Sequence, residues 1–118
     1  PTKGCNMAVT VTVLIPAKTA ESTQTTQYTS NGVTTIIDKF TATNYSASAA
    51  TISINLVTAA GSAGNDNLIV KTKTLQAGET YTFPEIVGQV LSPSGFISTI
   101  AGTASAINIR ASGRQVTQ

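Results

Sequence analysis

The chain has 118 residues, 41% hydrophobic and 10% charged, with seven Lys/Arg against five Asp/Glu, no histidine and one cysteine. That length suits a single domain able to bury about two-thirds of its unfolded surface. The missing histidine removes His-based general-base catalysis, Ser-His-Asp and Cys-His triads and the usual zinc donor sets, and a lone Cys5 excludes an internal disulfide.

A charged fraction well under the usual ~25% leaves a surface of Thr, Ser, Asn, Gln and Ala, which suits lasting contact with other protein. The net charge is +2, and the basic residues gather no further than Lys71/Lys73 and Arg110/Arg114. Nucleic-acid binding needs many phosphate contacts, so none is expected. No window approaches the ~18 apolar residues of a membrane helix. Cys5 follows Lys3-Gly4 without a preceding apolar segment, so it reads as a free thiol rather than a lipid anchor. Pro1 reads as the residue left after removal of an initiator Met, implying synthesis in a cytoplasm without an export signal.

Pro1–Met7 has no periodicity and is expected to be a loose arm. In Ala8–Ile15 the residues Val9, Val11, Val13 and Ile15 alternate with Thr10 and Thr12, predicting a half-buried strand with the valines inward. Pro16 is expected to stop it. Gln24–Ser30 predicts a strand anchored by Tyr28. Asn31-Gly32 predicts a tight hairpin returning through Val33–Asn44, because a type I′ turn needs positive φ. Ile36, Phe40 and Ala42 then share a face with Asp38, a carboxylate that needs a partner or a bulge.

Thr51–Thr58 predicts a strand with Ile52, Ile54 and Leu56 inward. Ala59–Asn67 is Gly- and Asx-rich and predicts a loop; its Asn65-Asp66-Asn67 lacks the spacing and closing Glu of a calcium loop. In Leu68–Leu75 the lysines 71 and 73 suggest an edge strand. Gln76–Glu79 predicts a hairpin turn with Gly78 left-handed, before a short strand Thr80–Phe83. Pro84–Leu91 is the one window with helical signals: proline first, Glu85 in the first turn, and Ile86, Val87, Val90 and Leu91 at 3.6 spacing. It predicts a short helical turn. Phe96–Ala101 and Ala106–Gly113 predict the last strands, with Ile107, Ile109 and Ala111 inward, and Arg114–Gln118 a tail.

About eight short strands separated by turn signals predict an all-β chain, an antiparallel β-sandwich of jelly-roll-like kind. The domain is expected over residues 8–113, between the arm 1–7 and the tail 114–118. Phe83, Ile86, Val90 and Phe96 are expected to plug one end of it.

The carboxylates are Glu21, Asp38, Asp66, Glu79 and Glu85. Glu79 and Glu85 flank the Tyr81–Phe83 strand as a glycosidase pair would, but the chain lacks the tryptophans that hold sugars. They read as a turn residue and a helix N-terminal residue. Gly61-Ser62-Ala63-Gly64 lacks the Lys-Ser/Thr of a phosphate loop. No catalytic, cofactor-binding or metal-ligating set is expected, and no small-molecule substrate.

The run Leu75–Leu91, followed by Gly95-Phe96-Ile97 and Ile107–Gly113, resembles small virion structural proteins of tailed bacteriophages. The Tyr28–Lys39 segment and Ile54-Asn55-Leu56-Val57 before a Gly/Ala loop fit the same pattern, so the resemblance covers residues 25–113. It implies a non-enzymatic head decoration or cement protein, on the capsid exterior, bound to the major capsid protein. A head–tail neck or tail component, or a carbohydrate-binding module, are the alternatives. A two-fold homodimer covering an edge strand is expected, with the arm, the tail and the 59–67 loop ordering on the particle. Exposed members of Ile69, Leu75, Val87 and Leu91 are the candidate interface residues.

Overall fold

The computed structural model describes residues 8–117; the expectations for Pro1–Met7, Cys5 and Gln118 lie outside them. Nine strands form two antiparallel sheets: β1 (Ala8–Thr19), β2 (Thr25–Thr29), β3 (Thr34–Asn44), β4 (Ala50–Val57), β5 (Leu68–Leu75), β6 (Thr80–Tyr81), β7 (Val90–Leu91), β8 (Phe96–Ala101) and β9 (Ile107–Thr117). One sheet runs β1-β9-β3-β6 with β7 also on β3, and the other runs β2-β8-β4-β5. The β-sandwich expected from the turn spacing is therefore the fold.

Consecutive strands mostly change sheet. β2 and β3 lie in different sheets, so Asn31-Gly32 is a crossover rather than a hairpin, although Gly32 does take positive φ (73°). The same holds for Gln76–Glu79 between β5 and β6, where Gly78 sits at φ 77°. Turn chemistry prescribes the local backbone but says nothing about which sheet the next strand joins.

One cluster fills the space between the sheets. Ile37, Phe40, Ala42, Ile107 and Ile109 enter from the first sheet and Ile52, Ile54, Leu75 and Ile97 from the second. Phe83 meets Phe40 edge to face at 5.4 Å between centroids, and Tyr81 meets Phe83 in the same way at 4.7 Å. Each such pair adds about 1 kcal/mol beyond its burial. Phe83 and Ile86 are fully buried, as the end plug requires, whereas Val90 is exposed and Phe96 only half-buried. Pro84–Gly88 is a series of turns, with Ile86 N donating to Phe83 O and Gln89 N to Ile86 O. Gly88 at φ 87° then feeds the chain into β7 on the edge of β3. The chain's single 3-10 turn among the described residues is at Asn65–Asn67 instead.

Hydrogen bonds also cross the core. The Tyr28 hydroxyl on β2 lies 2.7 Å from Thr35 Oγ1 on β3 and accepts from Gln115 Nε2 on β9, also at 2.7 Å. Ser30 Oγ joins Thr35 at 2.7 Å, so the buried hydroxyls are satisfied. At the other end the buried Asn44 donates to Leu75 O (2.9 Å) and Ser48 O (2.8 Å) and accepts from Ser46, locking the β3–β4 turn against β5.

Three corrections follow from bulges. β1 does not end at Pro16; it continues to Thr19 through register shifts on either side of Ile15. β3 shifts register between Ile37 and Lys39, so its buried face passes from Thr35/Ile37 to Phe40/Ala42. An extra residue on one strand reverses which parity faces inward. β5 is bulged at Lys71–Thr72, where Thr72 takes φ 44° and donates its N–H to Ser53 Oγ at 2.8 Å. Residues 114–117, expected as a tail, are the last part of β9, held between β1 and β3.

Candidate assembly surface

The side chains Val9, Val11 and Val13 were expected inward, and they face out. Their exposures are 59%, 79% and 44%, and Val90 on β7 is 56% exposed. Directly paired residues stand side by side on one face of a sheet. Val11 pairs with Arg114, Arg114 with Ile36, and Ile36 with Val90, so one row crosses four strands. Val9 pairs with Val116, which pairs with Thr34, in the next row. The outer face of the first sheet is therefore an apolar strip at the end where β1 and β9 begin and finish. Contiguous exposed apolar surface of this kind marks contact with another macromolecule. The sequence signal was present in the adjacent apolar pair Leu14-Ile15 before Pro16, which marks the bulge where the buried parity of β1 changes.

One ion pair sits within this strip. Asp38, at the β3 bulge, takes a forked contact from Arg114: Nε to Oδ2 at 3.0 Å and Nη2 to Oδ1 at 2.9 Å. The carboxylate needed a partner or a bulge, and it has both. Its hydrogen bond holds the Arg114 guanidinium above its usual range. An exposed pair like this contributes little to stability, because water and salt screen it. Its larger effect is to neutralise the charges inside an apolar face.

The other carboxylates are dispersed. Glu79 accepts from the Gln76 backbone N–H at 2.7 Å, as a turn residue. Glu85 accepts from the Tyr81 hydroxyl at 2.9 Å, which raises the Tyr81 phenol above its ordinary value. Lys73 Nζ stands 4.4 Å over the Tyr81 ring. Glu21 accepts from Lys18 (2.9 Å) and Gln27 (2.8 Å), and these bonds, Lys18 first, lower it below the usual carboxylate value. Asp66 lies exposed in the 3-10 turn. Glu79 and Glu85 thus serve different partners. Among the described residues no three Cys, Asp or Glu side chains converge on a metal position.

Several shallow clefts mark the surface, two of them beside residues already named. One of about 200 Å³ lies on the outer face of the second sheet, lined by Gln24, Asn55, Gly64, Lys71 and Thr72. Asn55 Nδ2 donates there to Asn67 Oδ1 (2.7 Å) and Gly64 O (3.0 Å), so the 59–67 loop is already tied to β4 without a partner. The other, about 340 Å³, lies between Thr41, Thr43, Tyr45, Asn108 and Arg110. Of the candidate interface residues, Ile69 and Val87 are exposed, while Leu75 and Leu91 are buried.

No family model and no curated protein matches the chain. Among solved structures it is similar to a chain of infectious bursal disease virus, in the crystal structure of the T13 viral particle. The TM-score is 0.53 at 10% identity, over 95% of this chain and 31% of that one. It is likewise similar to a chain in the structure of the Gx strain of the same virus, with TM-score 0.53, 10% identity, and coverage of 95% and 33%. The present chain spans about a third of the length of those chains. At 10% identity the likeness is one of fold: an antiparallel β-sandwich of the kind found in those particles.

Proposed function

We propose that this chain is a non-enzymatic structural protein of a virion, and within that class a head decoration or cement protein of a tailed phage. The observation that carries the reading is the match of 95% of the chain to part of a chain in a viral particle. The weakly charged surface and the apolar strip around Val9, Val11 and Val90 support it, because both suit a protein that works in contact with neighbours. A decoration protein bound across capsid subunits shifts the equilibrium towards the assembled shell by mass action. Many weak contacts repeated over a lattice make that binding strong. The major capsid protein is the partner this role requires.

The test is quantitative mass spectrometry of purified particles of the encoding virus, with cryo-electron microscopy to locate the protein. Copies matching the number of capsid subunits, spread over the shell, are expected. A few copies confined to one vertex would move the protein to the neck or tail, and absence from particles would overturn the virion reading.

A further inference from the structure

Three of the four sheet edges are guarded against pairing. β6 and β7 have two residues each. β5 carries Lys71, Lys73 and the Thr72 bulge. β2 has five residues and is broken by a register shift between Thr26 and Tyr28. Short length, lysines and bulges are how natural sheets keep an edge from recruiting another strand. The first half of β1 has none of these. Ala8–Val13 pairs without a break against Ser112–Thr117, and Pro16, Lys18 and the bulges all fall later in the strand.

This open edge is also symmetrical. Val9-Thr10-Val11-Thr12-Val13 reads alike in both directions about Val11. Laid antiparallel on a second copy with Val11 on the axis, Thr10 faces the partner's Thr12 and Val9 faces the partner's Val13. Every valine meets valine on the outer face, every threonine meets threonine on the other, and no charge opposes its like. Val–Val and Thr–Thr are favourable cross-strand pairs. Centring the axis on Thr10 or Thr12 instead sets a threonine against Ala8 or Leu14. Two-fold contacts demand a surface complementary to itself, which an uncharged palindromic strand supplies.

We propose that two copies of the chain join edge to edge through β1, with Val11 opposite Val11, fusing their first sheets into one continuous sheet. The valine stripes of the two copies then form a single apolar strip. This concerns the protein before it meets any particle and stands independently of the virion reading.

Sedimentation velocity on the full chain tests it, with Val11→Lys, Val11→Glu and Val90→Lys. Both sites are at least half exposed, and thermal melts followed by circular dichroism confirm that the variants fold. The wild type is expected to be a dimer. Val11→Lys and Val11→Glu alone should each raise the dissociation constant on the order of 100-fold, since like charges then face each other. An equimolar mixture of the two should dimerise again, because Lys and Glu meet only if position 11 faces itself. Val90→Lys, on the same face but away from the edge, should leave the dimer intact. A monomeric wild type, a Val11→Lys variant that dimerises as before, or a mixture that stays monomeric would each overturn the pairing. None of these results bears on copy number in the particle, so the two proposals fail separately.

Discussion

Gly113 shows how much a single residue can decide. It stands in β9 opposite Ile37, where β3 bulges around Asp38. A Cβ at this position would overlap the Ile36 carbonyl oxygen and press on Leu14 Cδ1 at 3.0 Å. The obstacle is backbone, so it cannot rotate away. Gly113→Ala is expected to cost about 2–3 kcal/mol, read as a shift in the urea midpoint. Gly102→Ala is the control: its nearest neighbour is the Thr51 hydroxyl, which can turn aside, and less than ~1 kcal/mol should be lost. In the sequence Gly113 is simply the glycine after Ser112, because the neighbour that requires it lies on another strand. Asp38 was legible in part. Its conflict with Ile36 and Phe40 announced an irregularity, but the partner, Arg114, is 76 residues away.

At the scale of elements, strand existence was legible and strand phase was legible only where no bulge intervened. The alternation in β9 placed Ile107, Ile109 and Ala111 inward, and they are buried. The equally clean alternation in β1 pointed Val9, Val11 and Val13 the wrong way. A period-2 pattern identifies two faces without saying which one another layer covers. The end of β9 carries a testable consequence. Residues 114–117 bridge Ala8–Val11 of β1 and Thr34–Ile36 of β3. Deleting 114–118 therefore strips hydrogen-bond partners from two strands and lowers the thermal midpoint by about 10 °C or more, equivalent to roughly 2 kcal/mol. A loose tail would leave the midpoint unchanged.

At the scale of the molecule, the two ends of the described segment meet: Ala8 pairs with Thr117 in the ribbon that extends the first sheet. The molecule measures 59 × 25 × 19 Å, and its radius of gyration of 15.1 Å exceeds the ~13 Å of a compact domain this size. A long β1/β9 ribbon with an exposed valine face is an expensive shape in water, which is why the outer strip and the β1 edge are where association is argued. Contacts this distant in sequence must close large loops before they are rewarded. Refolding from urea is expected on the millisecond-to-second scale, and microsecond refolding by stopped flow or temperature jump would contradict the closure of the sheet by β1 and β9.

Composition and pattern alone determined that this is an all-β chain, without the histidine chemistry of common enzymes, and with Phe83 and Ile86 in its core. Those properties are local: they depend on side-chain type and spacing of two. Tertiary structure alone decided that Asn31-Gly32 and Gln76–Glu79 cross between sheets, that bulges reverse the buried faces of β1, β3 and β5, and that the valines of β1 look outward from an open edge. Each depends on which strand lies alongside or across the core, and that is set by partners scores of residues distant, where the period of a strand carries no information.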